Sequence, residues 1–333
     1  MLLWNAAPSR ASSPSFELLT SRSVARSEIT SLSLSSSTLL TTYRSTPALS
    51  WVDAFTLPSL TSLSKSSGAA AVLMPEEKCS DTHAKRNDPI RAVTVREGTA
   101  QRGVETHQES TIVIRDVRSG KSLGDIKGAC GNPIAVSQDG RLLAARDASS
   151  PVRIGVWDIK TGERVALIAS HIDLVTHAVF TPQGTLVTAS KDGTLRVTHI
   201  RTARTVARLE MDSTNPTVVG VSRDGCEILS LWGRMQYTWM PDHSSLASSS
   251  LSAERTREGW PLCFSPNARF LACRTEDGFD IMDVMSKEIV LERNSESIIT
   301  AAAFDDSVQR LCVGKMDGTI EVWELYELGS CKS

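Results

Sequence analysis

The residues able to do chemistry in this chain are few and scattered. Six histidines stand at His83, His107, His171, His177, His199 and His243, and none belongs to an H-E-x-x-H pair that would hold zinc on one helix face. Cys79 and His83 stand four apart, with His107 further along. Together they supply three ligands of the kind zinc takes, but no fourth Cys or His is spaced to finish a tetrahedron. No G-x-S-x-G elbow, phosphate loop or G-x-G-x-x-G occurs, so neither an activated serine nor a phosphate cradle is encoded. An enzyme needs a nucleophile, an acid/base pair or a metal in one cleft. The expectation is therefore a non-catalytic protein with no metal and no cofactor. An enzymatic ring of the quinoprotein or lactonase type would require several carboxylates or histidines converging on one point.

Bulk properties narrow the setting. The 333 residues carry 36 Lys+Arg against 38 Asp+Glu, for a net charge of −2, which excludes a strongly basic nucleic-acid binder. Hydrophobic residues at 41% and charged residues at 22% suit a chain with a sizeable core. The longest unbroken apolar run, Ala69 to Met74, is far short of the roughly 20 residues that cross a bilayer as a helix. The seven cysteines include no C-x-x-C pair, as expected of free thiols in a reducing compartment. Cytoplasmic placement follows, with the nucleus or mitochondrion as alternatives. The first fifty residues hold 14 Ser and 6 Thr with Arg10, Arg22, Arg26 and Arg44, which imitates a mitochondrial presequence. Runs such as SLSLSSSTLLTT favour strand or coil over the amphipathic helix that a presequence needs.

What positions the polar residues is a repeat. VRIGVWDIKTGERVALIASH, DGTLRVTHIRTARTVARLEM and DGTIEVWELYELG each read as turn, strand, polar stop and turn. Aligning the position after the Trp of VWD marks Asp116, Asp158, His199, Trp239, Asp283 and Glu324 at a step of about 40. Upstream of these stops lie AVSQDG, VFTPQG, VSRDG and CFSPNA, whose turn chemistry joins neighbouring antiparallel strands. Four short strands plus turns fill such a step. One four-stranded sheet cannot bury both faces alone, so the sheets must pack around an axis. The expected fold is all-β, a seven-bladed propeller with four antiparallel strands per blade.

The chain resembles the WD-repeat family, whose units run about 40 to 45 residues with Gly-His near the start and Trp-Asp near the end. Trp157-Asp158 is an intact Trp-Asp pair, Trp323-Glu324 is close to one, and Ser170-His171 stands where the family has Gly-His. The resemblance implies a buried tetrad of His, turn Asp, Ser/Thr and Trp. It carries His171 and Asp192 onto that pattern, with Thr198 in the Trp place, and assigns the repeat-motif residues Trp157, Asp158, Asp317 and Trp323. It also implies a scaffold that binds one or more proteins, not nucleic acid and not membrane.

Reading the Ser-rich start with the same template adds a seventh stop at Asp53. The ring then spans 28–325, with stops at 53, 116, 158, 199, 239, 283 and 324. Residues 1–27 supply an outer strand near Phe16 to Thr20 that closes the last blade, and 326–333 form a short tail. The opening Leu2 to Ala7 looks like the end of another Trp-Asp strand. A longer array, such as large fungal sensor proteins carry, is one context for it by resemblance.

The unit from Asp53 to Asp116 is oversized, and its excess falls in Lys78 to Pro89 and Thr99 to Glu109, both read as polar loops. The second displays Arg102, Glu105 and His107, the candidate partner-binding residues. Arg115-Asp116-Val117-Arg118 resembles the D-x-R box by which some WD-repeat proteins dock onto a cullin-type ubiquitin ligase adaptor. That makes Arg118 a further partner candidate, under the alternative of a ligase substrate receptor.

Overall fold

The computed structural model describes residues 15–25, 27–34, 37–46, 49–67, 70–73, 91–102, 105–211, 214, 216–222, 224–232, 235–241, 245–250, 260–305 and 307–326. Its strands pair into seven four-stranded antiparallel sheets. After β1 (Ser15–Ser23), sheet 1 comprises β2 (Ile29–Leu34), β3 (Thr38–Thr46), β4 (Leu49–Thr56) and β5 (Thr61–Ser67). Sheet 2 follows with β6 (Ala70–Leu73), β7 (Arg91–Arg102), β8 (Glu105–Asp116) and β9 (Ser122–Ile126). Sheet 3 holds β10 (Ala129–Val136), β11 (Leu142–Asp147), β12 (Ser150–Asp158) and β13 (Arg164–Ile168). In sheet 4 are β14 (Val175–Phe180), β15 (Thr185–Ser190), β16 (Thr194–His199) and β17 (Arg204–Glu210). Sheet 5 contains β18 (Pro216–Val221), β19 (Ile228–Trp232), β20 (Met235–Met240) and β21 (Ser245–Ser250). Sheet 6 has β22 (Trp260–Phe264), β23 (Phe270–Arg274), β24 (Gly278–Asp283) and β25 (Ile289–Asn294). Sheet 7 joins β26 (Ile299–Phe304), β27 (Arg310–Lys315) and β28 (Thr319–Tyr326) to β1, in the order β1-β28-β27-β26.

Sequence explains the layering. The two middle strands of a sheet are buried on both faces, polar residues included, as in β15 (TLVTAS) and β24 (GFDIMD). Outer β17 (RTVARLE) instead alternates exposed and half-buried positions, because only one of its faces is covered. Neighbouring sheets share apolar seams. Ile112 and Ile114 of sheet 2 meet Leu143 and Trp157 of sheet 3. Ala144 and Val156 meet Val175 and Leu186 across the next seam. At the closing seam Ile29, Leu39 and Phe55 of sheet 1 pack on Cys312, Ile320 and Val322 of sheet 7. First and last sheets are therefore neighbours, and the fold is an all-β propeller. Gly155 shapes one seam: a Cβ there would lie 2.2 Å from the Trp157 ring, so the indole lies over a residue without a side chain.

The N-terminal strand closes the last sheet as expected. Its register with β28 runs from Ser15↔Tyr326 to Ser23↔Thr319. The first and last described strands are thus hydrogen-bonded in one sheet, which covers an edge that would otherwise recruit foreign strands.

Register corrects two of the expected stops. Leu142, at the start of β11, pairs with Asp158 at the end of β12. The same place is taken by Asp116, His199, Asp283 and Glu324. Asp53, however, pairs with Thr41 in the middle of β4, and the terminal pair there is Thr38↔Thr56. Phe55-Thr56 stands where Trp157-Asp158 stands in sheet 3, and SWVD merely imitates the motif three residues early. Trp239 pairs with Ile228 as Trp157 does with Leu143, so it occupies the Trp place and Met240 the stop.

Another correction concerns Thr99 to Glu109. It is not a loop: β7 and β8 pair continuously from Arg91↔Asp116 to Arg102↔Glu105. Backbone hydrogen bonds are made by main-chain N–H and C=O groups and do not require apolar side chains. The other expected insertion, Lys78 to Pro89, lies outside the described residues, as do Leu2 to Ala7, most of the tail, and both Cys79 and His83.

Candidate functional site in the turns and buried polar frame

Polar side chains recur at fixed places in the turns. Between the first and second strands, Ser137 Oγ donates to Asp139 at 2.5 Å and accepts from the Leu142 amide at 2.8 Å. Ser222 with Asp224 and Glu227, and Ser265 with Asn267 and Phe270, repeat the arrangement. Between the third and fourth strands the stop Asp closes the turn. Asp158 accepts the Lys160 and Thr161 amides at 2.9 and 3.0 Å, and Asp283 accepts those of Met285 and Ser286 at 2.9 and 3.1 Å. Each Asp also receives an Arg Nε, from Arg141 at 3.1 Å and Arg269 at 3.0 Å. The Thr161 amide, then the Arg141 guanidinium, hold Asp158 below the usual carboxylate range. Acids used this way are caps, at Trp157-Asp158 and at Met282-Asp283 alike.

Sheet 4 holds a buried network. His171 Nδ1 lies 2.9 Å from Asp192 Oδ2, and its Nε2 lies 2.8 Å from Thr188 Oγ1. Asp192 further accepts from the Ile172 amide at 3.2 Å, the Thr194 amide at 2.9 Å and Thr194 Oγ1 at 2.6 Å. Burial pushes the His171 imidazole down despite Asp192, and Arg196 and Arg208 push the same way. Burial raises Asp192, but the Thr194 hydroxyl and His171 outweigh it and leave the carboxyl below its ordinary range. His171 is therefore neutral at pH 7 and works as a brace between the entry loop of sheet 4 and its β15–β16 turn.

The network is incomplete where the expectation placed its Trp. Thr198 is fully buried and its Oγ1 has no hydrogen-bond partner among the described residues. Thr188, which the sequence reading did not single out, is the third member. Its place on the second strand, opposite the residue two before the Trp place, is the signal that finds it. In sheets 1 and 5 that place holds Thr41 and Ser230. Both hydroxyls are buried without a partner among the described residues. Sheet 3 shows the converse, with Trp157 present but Ala145 in the hydroxyl place. The tetrad's parts are thus dispersed among the sheets.

The partner candidates fall at two ends of one sheet. Arg102 and Glu105 pair across the tip of the β7–β8 hairpin, and His107 pairs with Ala100. Arg118 lies beyond the other end of β8, in the turn to β9, where its amide donates to Asp116 Oδ1 at 3.1 Å. Twelve residues of β8 span roughly 40 Å, so Arg118 shares no surface with the other three. Of the remaining motif residues, Asp317 accepts the Thr319 amide at 2.8 Å. Trp323 donates its Nε1 hydrogen to Glu321 at 3.3 Å and stands edge-on to Phe279 with centroids 5.8 Å apart. Among the described residues no group of three His, Cys, Asp or Glu is arranged to hold a metal ion, and no helix is long and apolar enough to cross a membrane.

The family model for the WD domain, G-beta repeat, matches residues 162–199 and 286–324. The first match ends on β16 and the second on β28, each at the stop of a sheet. No curated protein matches the chain. Two stretches of this propeller frame thus match the WD repeat.

Proposed function

We propose that the protein is a non-catalytic scaffold, a seven-bladed ring that presents its turns to one or more partner proteins. The observation that carries this reading is where the ionisable side chains go. Asp116, Asp158 and Asp283 cap turns and the His171–Asp192 pair braces a loop, so these groups hold the frame instead of facing a substrate. A rigid frame with variable turns is how loops acquire binding specificity. We divide the chain into a closing segment (1–27), the ring (28–325) and a tail (326–333). We place it in the cytosol, because Cys130, Cys226, Cys263, Cys273 and Cys312 are all free thiols as in a reducing compartment.

The β7–β8 arm supports a contact role for its tip. Its inner neighbour β6 pairs only as far as Val95 and its outer neighbour β9 only as far as Ile112. Beyond those residues the arm continues as a two-stranded ribbon for about 20 Å, carrying Arg102, Glu105 and His107.

Affinity capture with the intact chain tests the scaffold reading, provided that each captured protein is then purified and titrated back. Saturable binding by a purified partner supports it. A chain that binds no purified partner and turns over a small molecule overturns it.

A further inference from the structure

Trp260 opens β22 and remains 48% exposed, while the rest of that strand is half-buried. The Arg274 guanidinium lies 4.6 Å over its ring, from the paired position on β23. From there a line of backbone contacts crosses two sheets on one face of the ring. The turn after Arg274 holds Glu276 and Asp277, and the Asp277 carbonyl accepts the Ser295 amide at 2.7 Å. That starts the Ser295–Ile298 link, which contains Glu296, and the Ile298 carbonyl accepts the Met316 amide at 2.9 Å. Asp317 follows directly. Ile298 and Met316 are 46% and 48% exposed, and Glu276, Asp277, Glu296 and Asp317 are exposed as well. The three turns, 275–278, 295–298 and 316–318, contain four carboxylates and no Lys or Arg.

We propose that this patch docks an extended peptide segment of a partner protein that carries an apolar side chain flanked by Lys or Arg. The inference rests on the scaffold reading and adds the surface and the chemistry of what it takes. Trp260, Ile298 and Met316 offer apolar area that water would otherwise cover, and an exposed Trp is the side chain most often found at the energetic centre of an interface. The carboxylates of the three turns match a cationic segment. Exposed ion pairs contribute little affinity singly, so their effect is to speed association and reject acidic segments. Arg274 lies over the indole, within cation–π range.

The test pans a display library of random peptides of about twelve residues against the immobilised full-length chain. The best peptide is then measured by fluorescence polarisation. The expected result is enrichment of peptides combining an apolar residue with Lys or Arg. Binding should weaken at least about tenfold in Trp260→Ala and in the Glu276→Lys, Glu296→Lys double variant. It should also weaken as salt rises from about 50 to 500 mM. Both variants should melt close to wild type, and the double variant keeps the test decisive should Trp260→Ala fail to fold. Selected peptides without basic enrichment, or binding that survives the double variant, overturn this surface while leaving the scaffold reading intact. That reading falls only on its own test, when no purified partner binds and the chain turns over a small molecule.

Discussion

His171 and Asp192 bridge two connections that are distant in sequence, with Nδ1 and Oδ2 2.9 Å apart and both side chains 1% exposed. A pH dependence follows from the state of that imidazole. Burial lowers its pKa in the folded protein, while the unfolded chain takes up the proton below about pH 6.5. The unfolded state then binds more protons, so stability falls as pH drops below about 6.5. His177, also lowered by burial, adds the same sign. Wild type should lose stability between about pH 7.5 and 5.5, read from urea midpoints. His171→Gln should be less stable at pH 7.5, because Thr188 and Asp192 lose a partner, and should show a shallower pH slope. An unchanged slope would remove His171 as its source.

The same isosteric change should have opposite signs at two threonines of sheet 4. Thr188→Val removes the hydroxyl that meets His171 Nε2 and leaves a buried nitrogen unsatisfied, a loss of about 1 to 3 kcal/mol. Thr198→Val removes a buried hydroxyl with no partner among the described residues and should stabilise by about 1 kcal/mol. Melting temperatures of the two single variants decide the matter. A destabilised Thr198→Val would mean that its hydroxyl has an unseen acceptor, such as a buried water.

The elements that were legible in the sequence are those where turn chemistry and alternation agree. VWDIKTG spells a strand, a capping Asp and a turn with Gly162 at φ 72°, and register places it there. SWVD contains the same letters without the turn, and the true terminus, Phe55-Thr56, carries neither Trp nor Asp. The expected stop at Trp239 falls one residue early because QYTWMPD has no acid directly after its Trp, so only strand pairing identifies Met240 as the stop. The β7–β8 arm was hidden for a different reason: its hydrogen bonds are made by backbone, which composition does not report. The exposure of Trp260 is likewise illegible, because sequence does not say which end of a strand is covered.

Removing residues 1–27 should remove β1 and bare the edge of β28 over the register from Thr319 to Tyr326. A strand lost from one side of a sheet exposes a row of unpaired donors and acceptors. The truncated chain should melt several degrees lower and self-associate, measured by calorimetry and light scattering. A melting temperature within a degree or two of the intact chain would mean that β1 contributes little to the ring.

Hydrogen exchange should separate the arm from the ring. Residues 96–102 and 105–111 pair only with each other among the described strands, and an isolated two-stranded ribbon is marginally stable. Their amides should exchange orders of magnitude faster than those of β15 or β24, which lie buried between sheets. Replacing 97–110 by a short Gly-containing turn should then leave the melting temperature nearly unchanged. Equal protection of the arm and β15 would show that the arm is held by a further element.

The turn between first and second strands requires a left-handed residue at one position. Gly140, Gly184 and Gly225 occupy it at φ 69°, 76° and 74°. In sheets 6 and 7 the place is taken by Ala268 and Val308 at φ 56° and 58°, so the turn imposes the conformation even where the residue opposes it. Gly184 isolates that cost, because a Cβ added there meets nothing within 4 Å. Gly184→Ala should therefore destabilise by about 1 kcal/mol through backbone strain alone. In a domain of this size that corresponds to a melting shift of a few degrees. Gly184→Asn, whose side chain tolerates the left-handed region, should lose less than Gly184→Ala. Equal losses for the two variants would show that the turn rearranges instead of holding the strain.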